Sequence, residues 1–182
     1  MFSYQIHSIE TAPEKSKPLL ELFMHAIGFV PNLVGGIANS PVLANSLLEL
    51  FKNVHGGSFT EDEVQVLLLT NAVTNSSRWP VAFHTALGLK QGIDPADIRA
   101  IRERQLPKQK RYAALSGLAK KLIEKRGQLT DDARTAFLEA GFEKEHLLEV
   151  VAVVAASTIT NYARKITNPP LEAFLQEHAW RR

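Results

Sequence analysis

Gln65-Val-Leu-Leu-Leu-Thr-Asn-Ala-Val-Thr-Asn-Ser-Ser77-Arg-Trp79-Pro80-Val-Ala-Phe-His84 is the stretch around which this chain is organised. Just upstream stands Thr60-x-x-Glu63, a capping box in which the Thr hydroxyl and the Glu carboxylate each satisfy a backbone N–H that a helix start leaves unpaired. An apolar run follows, so the pattern predicts a helix over about 61–75. Ser76 or Ser77 then caps a second helix, and Pro80 falls in its first turn, where a missing N–H costs little. That helix is expected to run to about Lys90 and stop at Gly92. Steps of three, four and seven residues return to nearly the same angle, so Ser77, Pro80, His84 and Gly88 share one helix face.

Helix signals extend in both directions. Asp94-Pro95 opens a helix through about Glu103, Gln105-Leu-Pro107 is a linker, and Lys108–Lys125 is amphipathic, with Tyr112, Leu115, Leu118, Ala119 and Leu122 on one side. Thr130-Asp131-Asp132 caps a short helix, and a last one from Glu143 to about Lys165 closes the core before Pro169-Pro170. Upstream, Pro13–Ala26 and Pro41–Asn53 are two more helices, separated by a turn at Gly35-Gly36, and residues 1–12 are irregular. No alternating apolar and polar stretch is long enough for a sheet. The expectation is an all-α protein, one domain over 1–182 with about eight or nine helices. Gly57-x-Phe-Thr60 with Gly92-Ile-Asp94, and Gly127-x-Leu-Thr130 with Gly141-Phe-Glu143, echo one another, as a duplicated helical unit or as similar caps would.

The 182 residues are 45% hydrophobic and 22% charged, enough for a sizeable single core. The longest apolar run, within Leu147–Ile159, is interrupted by Glu149 and falls short of the ~20 residues of a bilayer span. The start of the chain has no basic cluster followed by an apolar run, so a cytoplasmic location is expected, with no membrane partner. There is no cysteine, which excludes disulfides, thiolate nucleophiles, cysteine-ligated metals and iron–sulfur clusters. Net charge is +2, but Arg99–Arg126 holds ten basic and two acidic residues. Such a run is ordinarily a solvated face. Nucleic acid is not an expected partner, because no recognition motif is present and only Tyr112 interleaves an aromatic ring.

The spacing resembles the alkylhydroperoxidase D and carboxymuconolactone decarboxylase superfamily. Its peroxide-reducing members carry a Glu, twelve residues later Cys-x-x-Cys, then three residues and a His; here those positions hold Gln65, Ser77, Pro80 and His84. Gly28-Phe-Val30-Pro31-Asn32, Gly57-Ser-Phe-Thr60-Glu61-Asp-Glu63, Gly92-Ile-Asp94, Asn161-Tyr162 and Asn168-Pro169-Pro170-Leu171 are similar to the longer, peroxidase-related branch, so the likeness covers about residues 20–175. The resemblance implies a helical fold and a homo-oligomer, dimer, trimer or hexamer, without naming a cofactor. It also implies an antioxidant ancestry, but thiol peroxidase chemistry needs one thiolate to attack the O–O bond and a second thiol to resolve the sulfenic acid.

The remaining side chains limit what chemistry survives. Ser77 as a nucleophile activated by His84 is disfavoured, because seven residues at ~1.5 Å rise separate their backbones by roughly 10 Å. Gln65 keeps the size and hydrogen bonding of a Glu but cannot take a proton. His84 is either a hydrogen-bonded core residue or an acid/base group in a small pocket, with Gln65, Asn75 and Trp79 as candidate neighbours and Arg78 as a candidate anion binder. Trp79 is otherwise a packing residue. No metal site is expected: Glu143-x-x-His146 has the carboxylate–His step of di-iron bundles, but in one copy. Three functions follow as alternatives: a pseudo-enzyme or small-molecule-binding protein, a cofactor-free acid/base enzyme of the decarboxylase type using His84, and an antioxidant role by family resemblance.

Overall fold

Glu63 begins the central helix as the capping box requires, its Oε2 accepting the Thr60 N–H at 3.2 Å. Its other oxygen accepts from Arg111 Nε at 2.8 Å, and the guanidinium lies over the Phe142 ring at 3.9 Å. These charge-assisted bonds offset the burial of the carboxylate. A computed structural model describes residues 3–181 of the chain. It contains α1 (Lys17–Ile27), α2 (Asn32–Ile37), α3 (Pro41–His55), α4 (Glu61–Thr74), α5 (Arg78–Lys90), α6 (Pro95–Arg102), α7 (Lys110–Glu124), α8 (Asp131–Glu139) and α9 (Lys144–Thr167), with 3-10 turns at Glu14–Ser16 and Ala173–His178. No strand occurs among the described residues, and the protein is all-α.

Every residue of α4 from Glu63 to Val73 is buried, so the helix is apolar all round rather than striped, as an axis surrounded by other helices must be. It packs on α5, α6, α7 and α9. One apolar cluster gathers α4, α6, α7, α8 and the first half of α9; a second gathers α1, α2, α3 and the Trp79–Phe83 side of α5. By length and composition α9 could cross a membrane, but here Val150, Val153, Ala156 and Ala163 are buried against neighbouring helices. Its outer face leaves Leu148, Val151, Tyr162 and Ile166 exposed.

Three boundaries differ from the sequence expectation. Gln109 Oε1 accepts the Tyr112 N–H at 2.7 Å, making Gln109 the N-cap and delaying α7 to Lys110. Pro169-Pro170 ends α9, yet a further 3-10 turn follows and buries Leu175. Gly35-Gly36 is not a turn but lies inside α2. The glycines serve close approach: a Cβ on Gly35 would sit 2.6 Å from His7 O, and one on Gly36 3.1 Å from Thr167 Oγ1. Gly35→Ala is therefore expected to destabilise the fold by about 2 kcal/mol, because a backbone oxygen must move. Gly88→Ala should cost less than about 1 kcal/mol, since it meets the movable ends of Ile98 and Ile93 and gains helix propensity. Paired thermal melts check the contrast.

The echoed turns share a left-handed glycine, Gly92 (φ +85°) and Gly141 (φ +94°), each followed by an acidic N-cap. Two helices precede Gly92 after Thr60, and one precedes Gly141 after Thr130. In the basic segment, Arg102 donates to Thr85 Oγ1 at 2.8 Å and to the carbonyls of His178 and Ala179 at 2.9 and 3.2 Å. Arg104 donates to Ser76 Oγ and lies over Trp180. Part of the charge run thus tethers the C-terminal segment to α5.

Candidate functional site

The turn between α4 and α5 is tight enough to need a positive φ of 53° at Ser76, and it folds the two helices into a hairpin. His84 is thereby brought against Gln65, with Nδ1 and Oε1 3.0 Å apart. Both side chains are buried. Burial, with a smaller contribution from the nearby charge of His55, pushes the His84 imidazole down to about 3, so at neutral pH it is uncharged. The ring then offers one donor and one acceptor. Gln65 accounts for one of them.

Both residues lie on the wall of a cavity of about 400 Å³ lined by α1, α2, α3, α4, α5 and Thr160 of α9. The wall is mostly apolar: Leu22, Phe23, Ile27, Leu33, Val34, Phe51, Leu68, Trp79, Pro80, Phe83 and Leu87 contribute to it. Exposed Lys52, His55, Glu61, Lys90 and Gln91 form its rim. At the rim His55 Nδ1 lies 3.0 Å from Glu61 Oε2 and Lys52 Nζ 3.0 Å from Glu49 Oε1. His55 and Glu61 escaped the sequence reading as site residues, because their pairing comes from the junction of α3 with α4 and has no motif.

Trp79 shapes the cavity from the α5 side, stacked on Phe83 with ring centroids 4.9 Å apart. Its indole N–H donates to Glu172 Oε2 at 2.9 Å, while Glu172 Oε1 accepts the Asn32 N–H at 2.7 Å. One carboxylate from the C-terminal segment thus fixes both the indole and the start of α2. Glu172→Leu is expected to cost about 2 kcal/mol, since a hydrogen bond to a charged group is lost at each end. A changed tryptophan emission alongside a lower melting temperature would report it.

Of the residues singled out from sequence, Gln65, Trp79, Pro80 and His84 share the cavity wall. Ser77, Arg78 and Asn75 do not line it. Ser77 occupies the N-cap of α5 but makes no capping bond; its hydroxyl is buried and points to Asn161 O at 3.5 Å. Arg78 is exposed. Asn75 Nδ2 donates to Asn71 O at 2.9 Å, one turn back on its own helix. Ser77 and His84 bond to different partners, as the rise of the helix demands. Among the described residues no group of three His, Asp or Glu side chains converges as a metal site would require. His146 is occupied otherwise, its Nδ1 accepting the Glu143 N–H at 3.0 Å in a cap of α9.

No protein-family model matches the chain, and no curated protein matches it in sequence. Solved structures do resemble it over nearly its full length. An uncharacterized peroxidase-related protein from Ralstonia eutropha JMP134, described as an alkylhydroperoxidase AhpD core, has 17% identity and a TM-score of 0.81, covering 94% of this chain and 93% of its own. A peroxidase-related protein from Silicibacter sp. TM1040 has 16% identity and a TM-score of 0.80, covering 99% and 95%. The debrominase Bmp8, as a cysteine-to-alanine variant in complex with 2,3,4-tribromopyrrole, has 13% identity and a TM-score of 0.81, covering 98% and 95%. At these identities the likeness establishes the fold, which is that of the AhpD-like, peroxidase-related proteins.

Proposed function

We propose that this chain, an AhpD-like fold without cysteine, is a small-molecule-binding protein in which an apolar ligand site, open at a charged rim, takes the place of thiol redox chemistry. The observation that carries the reading is the cavity itself. It has about 400 Å³ of space, whereas Gln65 and Pro80 on its wall have neither a proton to exchange at neutral pH nor a sulfur. A dry apolar cavity of ~150 Å³ holds a benzene-sized ring, so this one has room for about two rings. The debrominase of the same fold binds a small halogenated ring, which supports the same use of the scaffold. The acid/base alternative receives less support: Arg78 is outside the cavity and the buried His84 holds no proton to donate as a cation.

Titration with prodan, a neutral two-ring dye whose emission shifts to the blue in apolar surroundings, tests this. Saturable binding at one dye per chain is expected, weakened by Ala26→Trp, which adds bulk at the exposed edge of the cavity wall. Unshifted or non-saturating emission would remove the reading. Peroxide with dithiothreitol should be consumed no faster than without protein.

A further inference from the structure

We infer that the ligand of this cavity is a neutral, flat, apolar molecule of about two rings carrying one hydroxyl, held between His84 and Gln65. The inference rests on the ligand-binding reading and specifies its chemistry. Inside the wall the polar side chains are His84, Gln65 and Thr160, whose hydroxyl already donates to Ser157 O at 2.9 Å; the charged groups stand on the rim. The bond between His84 and Gln65 uses one ring nitrogen and one end of the amide. If the amide oxygen accepts from Nδ1–H, the cavity meets a bare Nε2 acceptor and the amide NH₂ donors. If the amide is turned, the cavity meets an Nε2–H donor and the amide oxygen acceptor. Either arrangement offers one donor and one acceptor side by side.

A hydroxyl both donates and accepts, so it satisfies the two together. A plain hydrocarbon leaves both buried groups unpaired, and such a site discriminates strongly against the analogue that lacks the polar group. A carboxylate would be worse, because the neutral imidazole and the amide supply no counter-charge in an apolar enclosure. The cations at the rim, Lys52 and Lys90, are exposed, and Lys52 is paired with Glu49.

Isothermal titration of the native protein at neutral pH with 2-naphthol, naphthalene and 2-naphthoate tests the inference. 2-Naphthol is expected to bind at least ~10-fold more tightly than either of the others. Gln65→Met, nearly isosteric and without donor or oxygen, should shrink the naphthol-over-naphthalene preference to less than about threefold while keeping naphthalene affinity. Equal binding of naphthalene and 2-naphthol to the native protein would overturn the inference and leave the ligand-binding reading standing. Preference for 2-naphthoate would overturn it in favour of an anion held by the rim lysines. Failure of all three probes to bind would remove both. The native comparison decides the matter even if the variant does not fold.

Discussion

Combining Gln65→Glu, Ser77→Cys and Pro80→Cys is expected to turn a chain with no thiol into one that consumes peroxide at the expense of dithiothreitol, ~10²-fold or more above the parent protein. The structure makes the roles of the two sulfurs unequal. Position 80 is on the cavity wall, so its thiolate is the one peroxide reaches; position 77 is buried behind it at the N-cap of α5. The thiolate at 80 attacks the O–O bond and becomes a sulfenic acid, releasing an alcohol or water. The thiol at 77 then displaces water from that sulfenic acid to form a disulfide, which dithiothreitol reduces. The Cα atoms of residues three apart on a helix lie ~5 Å apart, within the Cα separation a disulfide tolerates. The start of α5 favours both thiolates. A Glu at 65 would meet His84 where the amide now does, and the variant lacking it should be slower. Peroxide consumption and the mass change on disulfide formation are the readouts. A disulfide without turnover would mean that the cavity does not admit peroxide.

Acidification should destabilise the protein well before its carboxylates are protonated. His84 titrates at about 3 in the fold against an ordinary 6.5, so its folded pKa is depressed. Between these values the unfolded chain takes up a proton that the folded chain refuses. Stability therefore rises with pH across the window and is lost as pH falls from 6.5 towards 3. Each unit contributes at most ~1.4 kcal/mol, so a drop to about pH 4.5 removes nearly 3 kcal/mol. His84→Gln keeps a hydrogen-bonding group beside Gln65 but has nothing to titrate, and its loss of stability over the same range should be smaller by that amount. Urea unfolding at several pH values measures the difference; parallel curves for the two proteins would contradict the burial of a neutral imidazole.

What could be read in the sequence was local, and what could not was tertiary. Thr60-x-x-Glu63, Asp94-Pro95 and Thr130-Asp131 announce α4, α6 and α8 because a cap is a bond between neighbours in the chain. Gly35-Gly36 misleads for the opposite reason. Two glycines suit a turn by propensity, but here they clear space for the His7 carbonyl and for Thr167, contacts that no local pattern encodes. The site divides in the same way. Gln65 and His84 lie 19 residues apart at positions that the spacing of a helical hairpin brings together. Asn75 and Arg78 are nearer His84 in sequence, yet one caps back along α4 and the other projects to solvent. Glu172, which holds Trp79 in place, comes from 93 residues further on. The fold similarity extends over nearly the whole chain at only 13–17% identity, so this helical architecture is compatible with widely different sequences.

A crystal of the native protein soaked in 4-bromophenol would test the central claim most directly, because bromine can be located by its anomalous scattering. One bromine site is expected among Leu68, Trp79 and Phe83, with the phenol oxygen between Gln65 and His84. A cavity with no bromine, filled instead by the side chains of Trp79 and Phe83, would contradict it.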